Sequence, residues 1–180
     1  MKPETDRDIK LALRRLAQRA PDSLAQFIAS FADDGGPIGE QVRTFIVGDD
    51  LAATRGSLAE RIDAFRPSKH RYLHRTDEAQ IGVRLELILD AIESLVLPVD
   101  PRAAFELIVS LIERDCDAME LCGDHHYSVV AAVNRAIWLI AKAGRSLPAQ
   151  EVRTTVERLV AEDTYATRES LIEVAADFAS

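Results

Sequence analysis

Apolar side chains recur every three or four positions along this chain, and Gly, Pro or Asp breaks the pattern at short intervals. That spacing is helical, because 3.6 residues per turn stack such positions on one face. Ile9, Leu13 and Leu16 form one stripe, and Leu24, Phe27, Ile28 and Phe31 form the next. Val42, Phe45 and Ile46 follow, then Leu51, Leu58, Ile62 and Phe65, closed by Pro67. The widest apolar face runs from about Asp77 to Leu97, through Ile81, Leu85, Ile88, Leu89, Ile92, Leu95 and Val96. Thr76 is its expected cap, and Arg84, Asp90 and Glu93 are expected to point away from the core.

Asp100-Pro101 announces another helix, as a capping carboxylate followed by a first-turn proline. Phe105, Ile108, Ile112, Cys116 and Met119 carry its stripe to Gly123. Val130, Val133, Ile137 and Ile140 continue the pattern, then Val152, Val156, Leu159 and Val160, then Leu171, Val174, Ala175 and Phe178. Trp138 and Asn134, beside these stripes, are expected in the core. Strand-like alternation is missing, and Ala and Leu are plentiful where aromatics are scarce. Two helix starts look alike, Asp100-Pro101-Arg102-Ala103 and Ser146-Leu147-Pro148-Ala149, and helix-pair spacing comes near 45 residues. The expectation is all-α: a right-handed stack of antiparallel helix pairs, a HEAT/TPR-like α-α superhelix of 8–9 helices. Residues 1–180 read as one helical-repeat domain, either ending bluntly at Ser180 or forming the N-terminal part of a longer array.

Composition narrows the function. Residues 1–75 hold 13 Lys/Arg against 11 Asp/Glu, whereas 76–180 hold 9 against 19. So acidic a half disfavours broad contact with nucleic-acid phosphates. Cys116 and Cys122 are too few and too close for a disulfide framework and read as reduced thiols. The charged stretch Met1 to Lys10 is not a secretory signal, and apolar runs fall far below the ~20 residues a membrane span needs. A cytoplasmic protein with no membrane partner is expected.

Three stretches resemble an uncharacterised bacterial family of helical proteins, some of them associated with SWIM-type zinc-finger modules. They are Tyr72 to Leu97 with its Asp90-Ala-Ile-Glu-Ser-Leu ending, Ala103 to Gly123, and Tyr165-Ala-Thr-Arg-Glu-Ser-Leu. The family's acidic turn reads as a double aspartate followed by serine and glycine, whereas here the stretch is Cys122-Gly-Asp-His-His-Tyr. The resemblance implies a helical-repeat fold and further helices, and carries over no catalytic residue.

Two segments hold side chains with chemistry. Arg66, Lys69, His70, Arg71, Tyr72, His74 and Arg75 crowd four fixed charges and two imidazoles into ten residues without an acid. An anion or phosphate site is one reading; a solvated loop whose cations face the preceding helix's C-terminal carbonyls is the plainer one. His70 and His74, four apart, would share a helix face as metal ligands do. Cys122, Asp124, His125 and His126 form a second candidate metal set. Cys116 lies six residues from Cys122, about 240° around a helix, so the two thiols would diverge. The plainer reading makes Cys116 a buried small hydrophobe. Glu113, Asp115, Asp117, Glu120 and Asp124 read as a solvated helix face. A nucleophilic pairing of Cys122 with His125 lacks any oxyanion element, and no Gly-rich phosphate loop occurs. The leading expectation is a non-enzymatic scaffold without cofactor that binds a protein or peptide. Nucleic-acid or phosphate binding through 66–75, and a metal-dependent enzyme, are the alternatives.

Overall fold

The computed structural model describes residues 15, 17–18, 20–32, 36–46, 50–66, 75–122 and 127–178, with side chains of 75–79 left aside. Every regular element among them is helical. The chain forms two compact units, residues 1–43 and 44–180.

The first unit contains α1 (Pro21–Ala32) and most of α2 (Pro37–Ile46), both opening on proline, whose fixed φ suits a first turn. Arg43 donates to the carbonyl of Ala32. No residue of α1 is buried, and its stripe lies open at Phe27 and Ile28, with Phe31 meeting Phe27 edge-on at 5.0 Å.

In the second unit follow α3 (Leu51–Asp63), α4 (Arg75–Ala91), α5 (Pro101–Ile112), α6 (Asp115–Cys122), α7 (Tyr127–Gly144), α8 (Ala149–Ala161) and α9 (Leu171–Asp177). Helix α4 ends in a π turn over Ile92–Val96, where the amide of Leu97 reaches back five residues to Ile92 O at 2.9 Å. The two aspartate caps are alike. Asp50 accepts from Ala53 N at 3.0 Å and Asp100 accepts from Ala103 N at 2.9 Å, each closing a free first-turn donor.

The likeness extends inward. Thr54, Leu58 and Ile62 are buried on α3, and fifty positions on Ala104, Ile108 and Ile112 are buried on α5. Val152 and Val156 take the corresponding places on α8. On α4 and its π turn the buried set is Ile81, Leu85, Ile88, Leu89, Ile92 and Val96. Forty-eight positions on, Val129, Val133, Ala136, Ile137, Ile140 and Gly144 are buried on α7. Helices α3, α5 and α8 therefore line up as one set, and α4, α7 and α9 as another.

Ion pairs between neighbours show that α5 runs parallel to α8, and α4 to α7. Arg102 near the start of α5 meets Glu151 near the start of α8 at 2.5 Å, and Glu113 just past α5 meets Arg158 near the end of α8 at 2.7 Å. Arg135 of α7 meets Glu86 and Asp90 of α4 at 2.6 and 2.7 Å, and Lys142 meets Glu93 at 2.9 Å. Each pair is antiparallel: Arg55, at the start of α3, reaches Asp100 beyond the end of α4. Likewise a methyl on Gly144, the last residue of α7, would stand 3.0 Å from both Phe178, just past α9, and Val152, near the start of α8. The result is an all-helical stack of pairs, with the longest helix, α7, packed against α4, α5, α6 and α9. Helices α4 and α7 approach so closely that a Cβ on Gly82 would fall 2.3 Å from Ser128 Cβ.

The apolar stripe expected to run unbroken from Phe105 to Met119 is instead two helices, divided at Glu113–Arg114. Asp115 opens the second of them, 2% exposed, with its carboxylate turned inward onto Arg168. Asp115 is accordingly not part of a solvated acidic face, which corrects the reading of that run. Cys116 beside it is half-buried rather than fully buried. Trp138 and Asn134 also depart from expectation, since both are exposed on α7.

Candidate functional site

The basic segment expected to hold an anion is described only at its ends. Arg66 is exposed and pairs with Asp63 three residues before it at 3.1 Å, and Arg75 opens α4. Lys69, His70, Arg71, Tyr72 and His74 lie outside the described residues. Of the second candidate set, Cys122 is fully buried at the end of α6, while Asp124, His125 and His126 lie outside the described residues. Among the described residues no three His, Cys, Asp or Glu side chains converge as a metal would require.

Two other constellations do form. The first is the junction before α9. Asp163 accepts from the backbone amides of Tyr165, Thr167 and Arg168 at 3.3, 3.2 and 2.9 Å. The loop it gathers forces Ala166 to φ 54°, a left-handed conformation that costs an alanine roughly 1–2 kcal/mol. Arg168 is thereby driven inside, 3% exposed. Its Nε and Nη2 donate to Asp115 at 2.8 and 2.6 Å. Nη1 donates to Leu159 O and Nη2 also to Ile112 O, both at 3.0 Å. Those carbonyls close α8 and α5, so one guanidinium caps two parallel helices at their negative ends.

Asp115 also accepts from Thr167 Oγ1 at 2.8 Å and from Cys116 N at 2.6 Å. Burial pushes the Asp115 carboxyl up, but the bonds from Arg168 and Thr167 outweigh it and hold it below the usual aspartate value. The Arg168 guanidinium loses by burial and gains more from Asp115, so its charge is secure. Burial and the Asp115 charge push the Cys116 thiol up, which makes it a poor nucleophile. The junction thus ties the start of α6 and the ends of α5 and α8 to the loop before α9.

The second constellation is open. A cleft of about 640 Å³ lies between α7 and α9. Ile137, Ala141 and Val174 supply apolar lining; Asn134, Trp138, Lys142 and Arg145 come from the α7 side, and Ser170, Glu173 and Asp177 from the α9 side. Trp138 is 71% exposed, unusual for the largest apolar side chain in a chain with only one tryptophan. Its position follows from the helix. Val133, Ile137, Ile140 and Gly144 face inward, which turns the parallel stripe Asn134, Trp138, Lys142 and Arg145 to the surface. Its three polar companions are the signal that identifies Trp138 as a surface residue.

Charge divides the lining. Lys142 lines the cleft, but its ammonium is paired at 2.9 Å with Glu93 in the π turn after α4. Arg145 follows the last residue of α7, where helix carbonyls favour a cation. Glu173 and Asp177 form no hydrogen bond or ion pair among the described residues, and both line the cleft with the indole. The lining thus joins an apolar floor to side chains of both charges. Comparison with protein-family models, curated proteins and solved structures returns no match.

Proposed function

We propose that residues 44–180 are a non-enzymatic scaffold of helical-repeat type, with the α7/α9 cleft as its binding groove for a peptide or partner-protein segment. The observation that carries this reading is the exposed indole of Trp138 in a cleft whose lining is part apolar and part charged. Tryptophan buries more area than any other side chain and dominates binding where it is anchored, so an exposed one over an apolar floor favours contact with a partner. Stacked helix pairs present such grooves between parallel helices. A right-handed HEAT/TPR-like superhelix is the form of stack we favour, and the two free thiols accord with a cytoplasmic location. Phosphate or nucleic-acid binding through 66–75 ranks second, because Arg66 already has a carboxylate partner in Asp63.

Since Trp138 is the only tryptophan, its emission reports on this cleft alone. The test is a displayed peptide library selected on the full chain, with binders then titrated by fluorescence. Binders that shift Trp138 emission, and lose affinity in Trp138→Ala at unchanged helicity, support the reading. A selection with no Trp138-dependent binder overturns it.

A further inference from the structure

The charges around the cleft specify what kind of segment it takes. Along the opposite flank of α7, every cation has its anion: Arg135 holds Glu86, Asp90 and Glu93 at 2.6, 2.7 and 3.1 Å, and Lys142 holds Glu93 at 2.9 Å. On the α9 flank Glu173 and Asp177 form no ion pair among the described residues, although two cations, Lys142 and Arg145, line the same cleft. Lys142 is committed to Glu93, and Arg145 sits at the helix end. The surrounding sequence deepens the imbalance, since residues 76–180 carry ten more acids than fixed bases.

Resting on the groove assigned above, we infer that its occupant is a basic helical segment whose Lys or Arg side chain lies over the Trp138 ring and pairs with Glu173 and Asp177. Each half of that recognition has a physical cause. The indole face is the strongest cation–π acceptor among the side chains. Two carboxylates on successive turns of α9, four residues apart, share a helix face and can receive one guanidinium or two neighbouring ammonium groups. An apolar floor of Ile137, Ala141 and Val174 receives the stem of such a side chain or the apolar stripe of the segment that carries it. An acidic segment would meet the same two carboxylates and be repelled.

The probe is a labelled amphipathic helical peptide with Lys on its polar face, beside a counterpart with Glu in place of each Lys. Anisotropy is read with the full chain, with the double variant Glu173→Gln, Asp177→Asn, and with Glu60→Gln, Glu120→Gln, which removes equal charge from exposed sites outside the cleft. The expected result is preference for the basic peptide by roughly tenfold or more, loss of about tenfold in the Glu173/Asp177 variant, and little change in the remote variant. Equal binding of the two peptides, or equal losses in both charge variants, overturns the inference. In that event, binding that still depends on Trp138 leaves the groove itself standing. Binding that survives Trp138→Ala, or no binding of either peptide, removes the groove as well.

Discussion

The two flanks of α7 are built from similar charges and reach opposite outcomes. Toward α4, arginine and lysine on α7 and three carboxylates on α4 and its π turn close the gap into a seam. Toward α9, acids again stand across from α7, but the gap stays open at about 640 Å³ and the acids form no ion pair among the described residues. The difference lies in distance and in competition. At Gly82 the α4 backbone comes so near Ser128 that no side chain fits between them. Helix α9 is only seven residues long, and Glu93 has already taken the lysine that could have bridged to it. A helix in a stack can thus spend its cations on one neighbour and leave the other side available to a partner.

The sharpest way to break this contrast is to release α9. Arg168→Ala leaves the Asp115 carboxylate buried without its cation, together with two helix-end carbonyls, and should cost about 3–5 kcal/mol in urea unfolding. An intact unfolding midpoint would show that the junction does not hold the α9 flank. The pH response sharpens the point. Asp115 titrates lower when folded than when unfolded, so its contribution is present above the unfolded value near 3.9 and is lost as pH falls through the lower folded value. Asp115→Asn should flatten stability measured across that acidic window, and an unchanged slope would refute the assignment.

Closing the seam too tightly should have the next largest effect. Gly82→Ala sets a methyl against Ser128 and should destabilise by about 1–3 kcal/mol, measured by thermal or urea unfolding. A neutral result would mean that α4 and α7 separate without cost.

Removing the bridge comes third. Arg135 forgoes solvation by partial burial, yet its bonds to Glu86, Asp90 and Glu93 raise its pKa overall. Arg135→Ala should lower stability by about 1 kcal/mol, less at high salt, because it leaves three carboxylates facing one another. A loss independent of salt would point to packing of the side-chain stem instead. Smallest of all is the open flank, where Trp138→Ala should change stability by no more than ~0.5 kcal/mol. In the unmodified chain, acrylamide should quench the single indole readily. Poor quenching, or a large stability loss, would return Trp138 to the core.

The all-helical architecture was legible because its signals are local. Asp100-Pro101 marks a helix start by chemistry alone, and the stripe Ile81 to Val96 matches the buried face it forms. What escaped depended on contacts across the fold. Nothing near Asp115 reveals that Arg168, fifty-three positions later, will bury it. Nor does Ala166 advertise a left-handed turn, because the Asp163 carboxylate rather than a glycine imposes it. Trp138 was misplaced by its type, since large aromatics are usually inside, although its spacing from Asn134, Lys142 and Arg145 already set it on the outer face. The acids of the cleft were legible as residues, but that Lys142 beside them is held by Glu93 appears only in the fold.

The guanidinium of Arg168 also bears on how the chain comes apart. Arrays of stacked helices ordinarily fray inward from an edge, one hairpin after another. Here the loop between α8 and α9 is fastened to the carbonyl termini of α8 and α5 at once, at Leu159 and Ile112. Peeling away α8 and α9 would tear open the neighbour's last turn too, so both should melt together, and amides on either side of this rivet should exchange with solvent at a common rate.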